Sequence, residues 1–276
     1  MESKPSFAFR DRMIQYKGLE KRRLSVLTAY DYPLARLLDE AGIDMILVGD
    51  SLGMVVLGLA DTTQVTLADM VHHTRAAARG VRSATVIADL PFGTYTTAHA
   101  ALLAARKLLE AGAFAVKLEG GKDLAPVIET LVQEGIPVVG HLGMLPQRIH
   151  EEGGRYRVKG KTQDEAEALL ADALAIQQAG AAAVVLELVV PEVAGMISKA
   201  LDIPSIGIGS GTQCDGEILV THDLVGLFPW FRPGFVKPRV EVAQQITEAV
   251  RGWIESVHKA PAISPDVTKL PTTDKE

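Results

Sequence analysis

The sequence predicts an α/β protein folded as a closed (β/α)8 (TIM) barrel, and three observations support that prediction. First, short apolar runs recur at 24–29, 45–49, 84–88, 114–118, 137–140, 183–188 and 204–208. They are rich in Val and Ile and apolar on both faces, which marks parallel strands covered on both sides. Second, stretches of helical period lie between them. Third, glycine punctuates the joints. Ala41-Gly42-Ile43, Ala111-Gly112-Ala113, Glu134-Gly135-Ile136 and Ala179-Gly180-Ala181 each close a helical stretch and open an apolar run. Glycine suits that position because it enters the left-handed conformation without a Cβ clash. Strand–helix alternation repeated seven or eight times over about 250 residues fits a barrel. An open doubly wound sheet is the weaker alternative, since no G-x-G-x-x-G follows the first run.

Taken in order, run 24–29 opens the series and 45–49 follows it. Thr66-x-x-Asp69 then marks a helix start before Met70 and Val71. Beyond 84–88, Leu102, Ala105, Leu108 and Leu109 form one apolar stripe, with Arg106, Lys107 and Glu110 opposite. Thr162-x-x-Glu165 fits a capping box, and Ala166, Leu169, Leu170, Ala173 and Leu174 line one face of the helix it starts. The eighth strand has two candidates, 218–221 and 235–236. The sequence therefore reads as one barrel domain over 1–258 with a short N-terminal extension. Residues 259–276, with three prolines and scattered charge, read as a flexible tail.

Composition excludes several classes. Of 276 residues 47% are hydrophobic and 22% charged, which supplies a sizeable core and excludes global disorder. The 28 basic and 34 acidic side chains leave a net charge of −6 without a basic block, against a nucleic-acid or anionic-membrane surface. The single cysteine, Cys214, excludes an internal disulfide framework and a multi-cysteine zinc site. Met1 to Arg12 alternates charge and lacks the apolar core of a secretory signal. No apolar run approaches the roughly 18 residues of a membrane span. A cytoplasmic protein is expected.

In a barrel, functional groups project from the carboxyl ends of the strands. Asp50, Asp89, Lys117, Glu119, His141 and Glu187 all stand at or just after the ends of apolar runs, so they are expected at one mouth. Clustered carboxylates repel one another unless protons or a cation neutralise them. Oxygen donors with one imidazole suit a hard ion such as Mg2+ better than zinc. Such an ion, chelated by a 2-keto acid, stabilises the enolate formed when a proton leaves the adjacent carbon. Lys117 could neutralise substrate charge, and Glu187 would be the abstracting base. The reading is metal-assisted enolisation followed by carbon–carbon bond formation. Plainer roles exist for the same residues. Asp50 and Asp89 could cap loops, Lys117 and Glu119 could form an ion pair, and His141 could act through a neighbour. The glycine-rich 207–211 could cradle phosphate or simply turn the chain. His72 and His73 read as structural or surface residues, and Cys214 as inert.

At these residues the sequence resembles the ketopantoate hydroxymethyltransferase family. The matching stretches are Val48-Gly49-Asp50-Ser51-Leu52-Gly53-Met54, Ala88-Asp89-Leu90-Pro91-Phe92, Val116-Lys117-Leu118-Glu119-Gly120-Gly121 and Gly140-His141-Leu142-Gly143. Glu187, Ile206-Gly207-Ile208-Gly209 and Asp215-Gly216 follow, in family order over roughly residues 5 to 255. The resemblance implies a barrel of the phosphoenolpyruvate/pyruvate superfamily type with one Mg2+ per subunit. It implies transfer of a hydroxymethyl group from 5,10-methylenetetrahydrofolate to 3-methyl-2-oxobutanoate, giving 2-dehydropantoate for pantothenate and coenzyme A synthesis. By the same resemblance Asp50, Asp89 and Glu119 are metal ligands, Asp50, Ser51, Asp89 and Lys117 contact the keto acid, and Glu187 is the general base. It also implies a homo-oligomer, a decamer in the family.

The chain departs from the family at Gly58-Leu59-Ala60-Asp61-Thr62-Thr63-Gln64-Val65-Thr66, where Leu59-Ala60 replaces a polar or aromatic pair and Gln64 replaces proline. Ser210 stands where the family has alanine. A second enzyme reading is a Mg2+-dependent carbon–carbon or carbon–phosphorus lyase of the isocitrate lyase and phosphoenolpyruvate mutase type. Those enzymes commonly carry a cysteine in the catalytic loop, whereas Cys214 lies in Gln213-Cys214-Asp215. A non-catalytic binding barrel is the third reading; it predicts dispensable carboxylates and no metal.

Overall fold

The computed structural model describes residues 4–17 and 22–260. Eight parallel strands close into a barrel in sequence order. They are β1 Leu24–Thr28, β2 Met45–Val48, β3 Thr85–Asp89, β4 Ala115–Glu119, β5 Val138–Gly143, β6 Ala183–Glu187, β7 Ser205–Ile208 and β8 Gly216–Leu219. Each apolar run of the sequence lies on a strand, with ends displaced by up to three residues. Of the two candidates for the eighth strand, 218–221 overlaps β8, and 235–236 instead lies in a loop beside the barrel mouth. The β8 signal is weak because the strand is four residues long, opens on Gly216 and exposes Glu217.

The N-terminal extension holds helix α1, Pro5–Ile14. The next helices are α2 Tyr32–Glu40, α3 Leu52–Val55, α4 Leu67–Ala78, α5 Ala98–Glu110 and α6 Ala125–Gln133. They are followed by α7 Gln163–Gln178, α8 Pro191–Ala200, α9 Thr221–Leu224 and α10 Val242–Lys259. Local signals start them where expected. Thr66 and Asp69 exchange both bonds of a capping box at α4. At α7 Thr162 Oγ1 accepts from the Glu165 N–H, but the Glu165 carboxylate reaches one residue further back, to the Lys161 N–H at 2.8 Å. Gly42, Gly112, Gly135 and Gly180, which end α2, α5, α6 and α7, have φ between 83° and 109°.

The strand alternation separates two apolar layers. Met45, Leu47, Ile87, Ala115, Val139, Val185, Ile206 and Ile218 fill the barrel interior. Their neighbours Ile46, Val48, Val86, Val116, Val138 and Val184 pack outward against the helices. α1 plugs the amino-terminal end of the barrel through Phe9 and Met13, both buried in the interior layer. Burial of each contributes about 1.5–3 kcal/mol. Lys17 Nζ reaches Asp215 Oδ2 at 2.8 Å nearby. Burial opposes the Asp215 charge, but Lys17 and the Ser205 amide outweigh it and hold the carboxyl below its usual range. Asp215 thus belongs to the base of the barrel, remote from the mouth. Among the described residues no helix is long and apolar enough to cross a membrane. α10 runs to Lys259, one residue into the stretch expected as a tail; 261–276 lie outside the described residues.

Candidate active site

Each inward column of the barrel changes character along its length. On β4, Ala115 sits in the interior apolar layer, and Lys117 and Glu119 follow it on the same face because side chains alternate along a strand. The column runs from Ile87 to Asp89 on β3, from Val139 to His141 on β5, and from Val185 to Glu187 on β6. The strand register then chooses partners. Asp89 lies opposite Lys117, Glu119 opposite His141, and Gly143 opposite Glu187.

The contacts follow that register. Lys117 Nζ lies 2.7 Å from Asp89 Oδ1. His141 Nδ1 is 3.2 Å from Glu119 Oε1, and its Nε2 is 3.2 Å from Glu187 Oε2. These contacts are at ion-pair distance but off the line of a good hydrogen bond. The turn between β2 and α3 adds Asp50 and Ser51. The Asp50 N–H donates to Asp89 Oδ2 at 3.1 Å, and Ser51 Oγ lies 2.8 Å from the Tyr30 hydroxyl.

Two backbone features aim Glu187. Gly143 has φ +96°, and a Cβ there would stand 2.2 Å from the Glu187 carbonyl oxygen, so only glycine permits this approach of β5 to β6. The next residue after Glu187, Leu188, has φ 48°, the one non-glycine positive φ among the described residues. That conformation costs about 1–3 kcal/mol and clusters at functional sites. It is held by hydrogen bonds from Leu188 N–H to the Ile208 carbonyl and from Lys159 N–H to the Leu188 carbonyl.

Burial makes the charges interdependent. Desolvation, followed by repulsion from Asp89 and Glu119, pushes the Asp50 carboxyl well above the usual range, against relief from Lys117 and Gln147. Burial opposes the charge on Lys117, but Asp89, Glu119 and Asp50 outweigh it and hold the ammonium charged. Burial likewise opposes the charge on Glu119, but His141 and Lys117 outweigh it and bring the carboxyl below its usual range. His141 is opposed by burial and by Lys117, yet Glu119 and Glu187 raise it to about 9. At neutral pH it is an imidazolium between two carboxylates.

Gln147, which sequence reasoning missed, ties this cluster together from the loop after β5. Its Nε2 donates to Asp50 Oδ2 at 2.7 Å and to the Leu90 carbonyl at 2.9 Å. Its backbone N–H donates to Glu119 Oε2 at 3.0 Å, and its Oε1 accepts from the Tyr95 hydroxyl. An uncharged amide in a loop offers no periodic signal; the turn-setting Pro146 before it is the one clue.

Asp50, Ser51, Asp89, Lys117, Glu119, His141 and Glu187 line one cavity of about 280 Å³. Its upper walls include Met54, Tyr156, Leu188, Phe228, Phe231 and Phe235. Other residues weighed from the sequence serve elsewhere. Residues 207–211 form a turn in which Ser210 Oγ donates to the Leu186 carbonyl at 2.7 Å and accepts from the Val189 N–H at 3.0 Å. Ser210 therefore staples β6 to β7. Cys214 is buried away from the cavity, with its thiol pushed up by burial. His73 Nδ1 lies 2.7 Å from the Tyr30 carbonyl, a structural tie between α4 and the end of β1. The atypical 58–66 loop is braced without proline. Asp61 Oδ1 accepts from the Thr63 N–H at 2.9 Å, Asp61 Oδ2 pairs with His150 at 3.1 Å, and Thr62 faces the cavity.

The residues fit a hard cation by donor type and charge. Asp50 Oδ2 is engaged by Gln147, but no hydrogen bond engages its Oδ1 among the described residues. Asp89 Oδ1 is buried and is met only by Lys117 Nζ at 2.7 Å, off the line of a good hydrogen bond. Both Glu119 oxygens are already held, by Gln147 and His141. No three His, Cys, Asp or Glu side chains among the described residues form a ready-made cage. An ion that retains several waters needs only one or two carboxylates.

A family model described as ketopantoate hydroxymethyltransferase matches residues 10–261 of the chain. A 3-methyl-2-oxobutanoate hydroxymethyltransferase of Acetivibrio thermocellus is 53% identical over 238 residues, covering 86% of this chain and 84% of its own. Among solved structures, phosphonopyruvate hydrolase in complex with oxalate and Mg2+ superposes with a TM-score of 0.61 at 13% identity, covering 98% of this chain and 93% of that one. 2,3-Dimethylmalate lyase, a member of the PEP mutase/isocitrate lyase superfamily, gives 0.59 at 17% identity with the same coverages of 98% and 93%. At such identities the likeness shows the shared barrel fold alone.

Proposed function

The chain belongs to the ketopantoate hydroxymethyltransferase family, and on that premise we propose that its barrel mouth enolises 3-methyl-2-oxobutanoate and joins C3 to a one-carbon unit. The product is 2-dehydropantoate, an intermediate of pantothenate and coenzyme A synthesis, and the one-carbon donor is 5,10-methylenetetrahydrofolate. The observation that carries this reading is the meeting of Asp50, Asp89, Lys117, Glu119, His141 and Glu187 in one cavity. The buried, half-neutralised carboxylates favour one Mg2+ per subunit, held by Asp50 and Asp89 with Glu119 beside them. When bound, the ion polarises the keto carbonyl and stabilises the enolate charge.

The protein's own residues do the rest. Lys117 and Ser51 offer cationic and hydroxyl contacts to the keto acid. Glu187 takes the C3 proton onto its carboxylate, and the His141 imidazolium 3.2 Å away holds that carboxylate in place. With its ring charged, His141 is an orienting group and not the base. The enolate carbon then bonds to the donor's methylene carbon, whose two C–N bonds to the folate break; one water supplies the hydroxyl, and its other proton and the C3 proton pass to the two folate nitrogens, releasing tetrahydrofolate. The mouth residues that a lyase would share do not by themselves select between readings. Family membership favours transfer, and the burial of Cys214 away from the cavity disfavours a catalytic-loop cysteine. The test is to incubate protein, keto acid, 5,10-methylenetetrahydrofolate and Mg2+ and follow products by mass spectrometry. Folate-dependent, chelator-sensitive formation of 2-dehydropantoate supports the reading. Cleavage of the keto acid, or transfer insensitive to chelation, overturns it.

Two further outcomes are expected. Gln147→Leu removes the bonds that orient Asp50 while sparing every charged group, so Mg2+ affinity, read by the thermal shift on titration, falls about 10–100-fold. A homo-oligomer, decameric as the resemblance implies, is supported by α10. No residue of that helix is buried, and Ile246, Val250, Trp253, Ile254 and Val257 form one stripe with exposures of 39–66%. Trp253→Glu places a charge in that stripe, and light scattering after gel filtration is expected to show a smaller assembly than wild type. The cytoplasm, where folate and keto-acid metabolism run, is the proposed location.

A further inference from the structure

The cavity is divided by chemistry. Its floor carries the ionisable cluster, whereas its upper wall is apolar and aromatic, with Phe228, Phe231 and Phe235 following β8 and α9. One carboxylate stands in that wall. Asp223, on α9, is 8% exposed and lines the cavity, and no hydrogen bond from the described residues reaches its carboxylate. Its nearest cation in sequence, Arg232, is already paired with Glu241 at 2.9 Å. Burial pushes the Asp223 carboxyl up to about 6, only partly offset by Arg232, which leaves it ionised near neutral pH. The Asp223 oxygens are not among the sealed, unpartnered polar atoms of the interior, so they open on the cavity, where an arriving ligand that brings N–H donors can reach them.

We propose that Asp223 and the wall of Phe228, Phe231 and Phe235 form the subsite for the pterin ring of the one-carbon donor, with the carboxylate accepting the paired N–H donors of its 2-amino-4-oxo-pyrimidine edge. This rests on the folate reading given above. A flat heteroaromatic ring stacks on aromatic side chains, and adjacent N–H groups match the two oxygens of a carboxylate. The keto acid on the floor presents no such donors, so Asp223 serves the second substrate.

The test is isothermal titration under anaerobic conditions with tetrahydrofolate and with its 2-desamino analogue, on wild type, Asp223→Asn and Asp223→Glu. Thermal unfolding checks that each variant is folded. Wild type is expected to bind tetrahydrofolate about 10–100-fold more tightly than the analogue, the span of a charge-assisted hydrogen-bond pair. Asp223→Asn should lose that factor for tetrahydrofolate and leave analogue binding unchanged, and Asp223→Glu should recover part of the discrimination. If Asp223→Asn still discriminates as wild type does, the subsite is wrong while the donor reading stands. A wild type that binds neither pterin overturns both.

Discussion

Glu187→Gln is expected to stop proton exchange at C3 of 3-methyl-2-oxobutanoate, followed by NMR in D2O, with a rate loss of about 10²–10⁴-fold. The amide keeps the shape and the approach to His141 but cannot take a proton at neutral pH. The Gly143 approach and the Leu188 conformation belong to the backbone, so they should persist and keep the variant folded. Metal and keto-acid binding should persist too, because neither depends on Glu187. The variant is therefore expected to bind Mg2+ and keto acid as wild type does and fail only in exchange. Exchange at the wild-type rate would remove Glu187 from the base role. A loss of metal binding alongside exchange would make it part of the charge cluster instead.

Lys117→Met should have the second large effect, and it acts first on stability. Lys117 is buried at 5% exposure and is the cation beside Asp89, with Asp50 and Glu119 close enough to hold its charge. Removing one partner of a buried ion pair strands the other and typically costs about 3–5 kcal/mol. Here the stranded charges are carboxylates, and a divalent cation can replace the missing ammonium. The expected result is a denaturant midpoint well below wild type in chelator, with most of the deficit recovered in saturating Mg2+. Keto-acid affinity should not recover, falling about 10–100-fold through loss of a charged hydrogen-bond donor. Equal stability of the two proteins in chelator would show that the ion pair makes no net contribution.

The barrel and most of its mouth were legible because both are carried by local pattern. The apolar runs and punctuating glycines mark the strands, and an ionisable side chain at the end of a run marks the mouth. Helix α1 carried no such signal: its apolar residues do not form one face, and Phe9 and Met13 are buried because the barrel base is there to receive them. Gln147 and Asp223 were missed for a related reason. Both sit outside the strands, and an amide or a lone carboxylate there acquires meaning only from what the closed barrel sets beside it. Ser210, read from the sequence as a departure, became intelligible once the ends of β6 and β7 were seen to share its hydroxyl.

The sequence by itself determined the strand–helix order and the end of the barrel at which the ionisable groups stand. Those follow from periods of two and 3.6 residues and from burial, which act over short separations. Only the tertiary structure decided which groups meet. The pairing of Asp89 with Lys117, and of Glu119 with His141 and through it Glu187, is set by strand register around a closed barrel. Register depends on how all eight strands shear together to close, and no single segment encodes that. The protonation states follow from the same closure, because burial and the distances between neighbouring charges exist only once the barrel has formed.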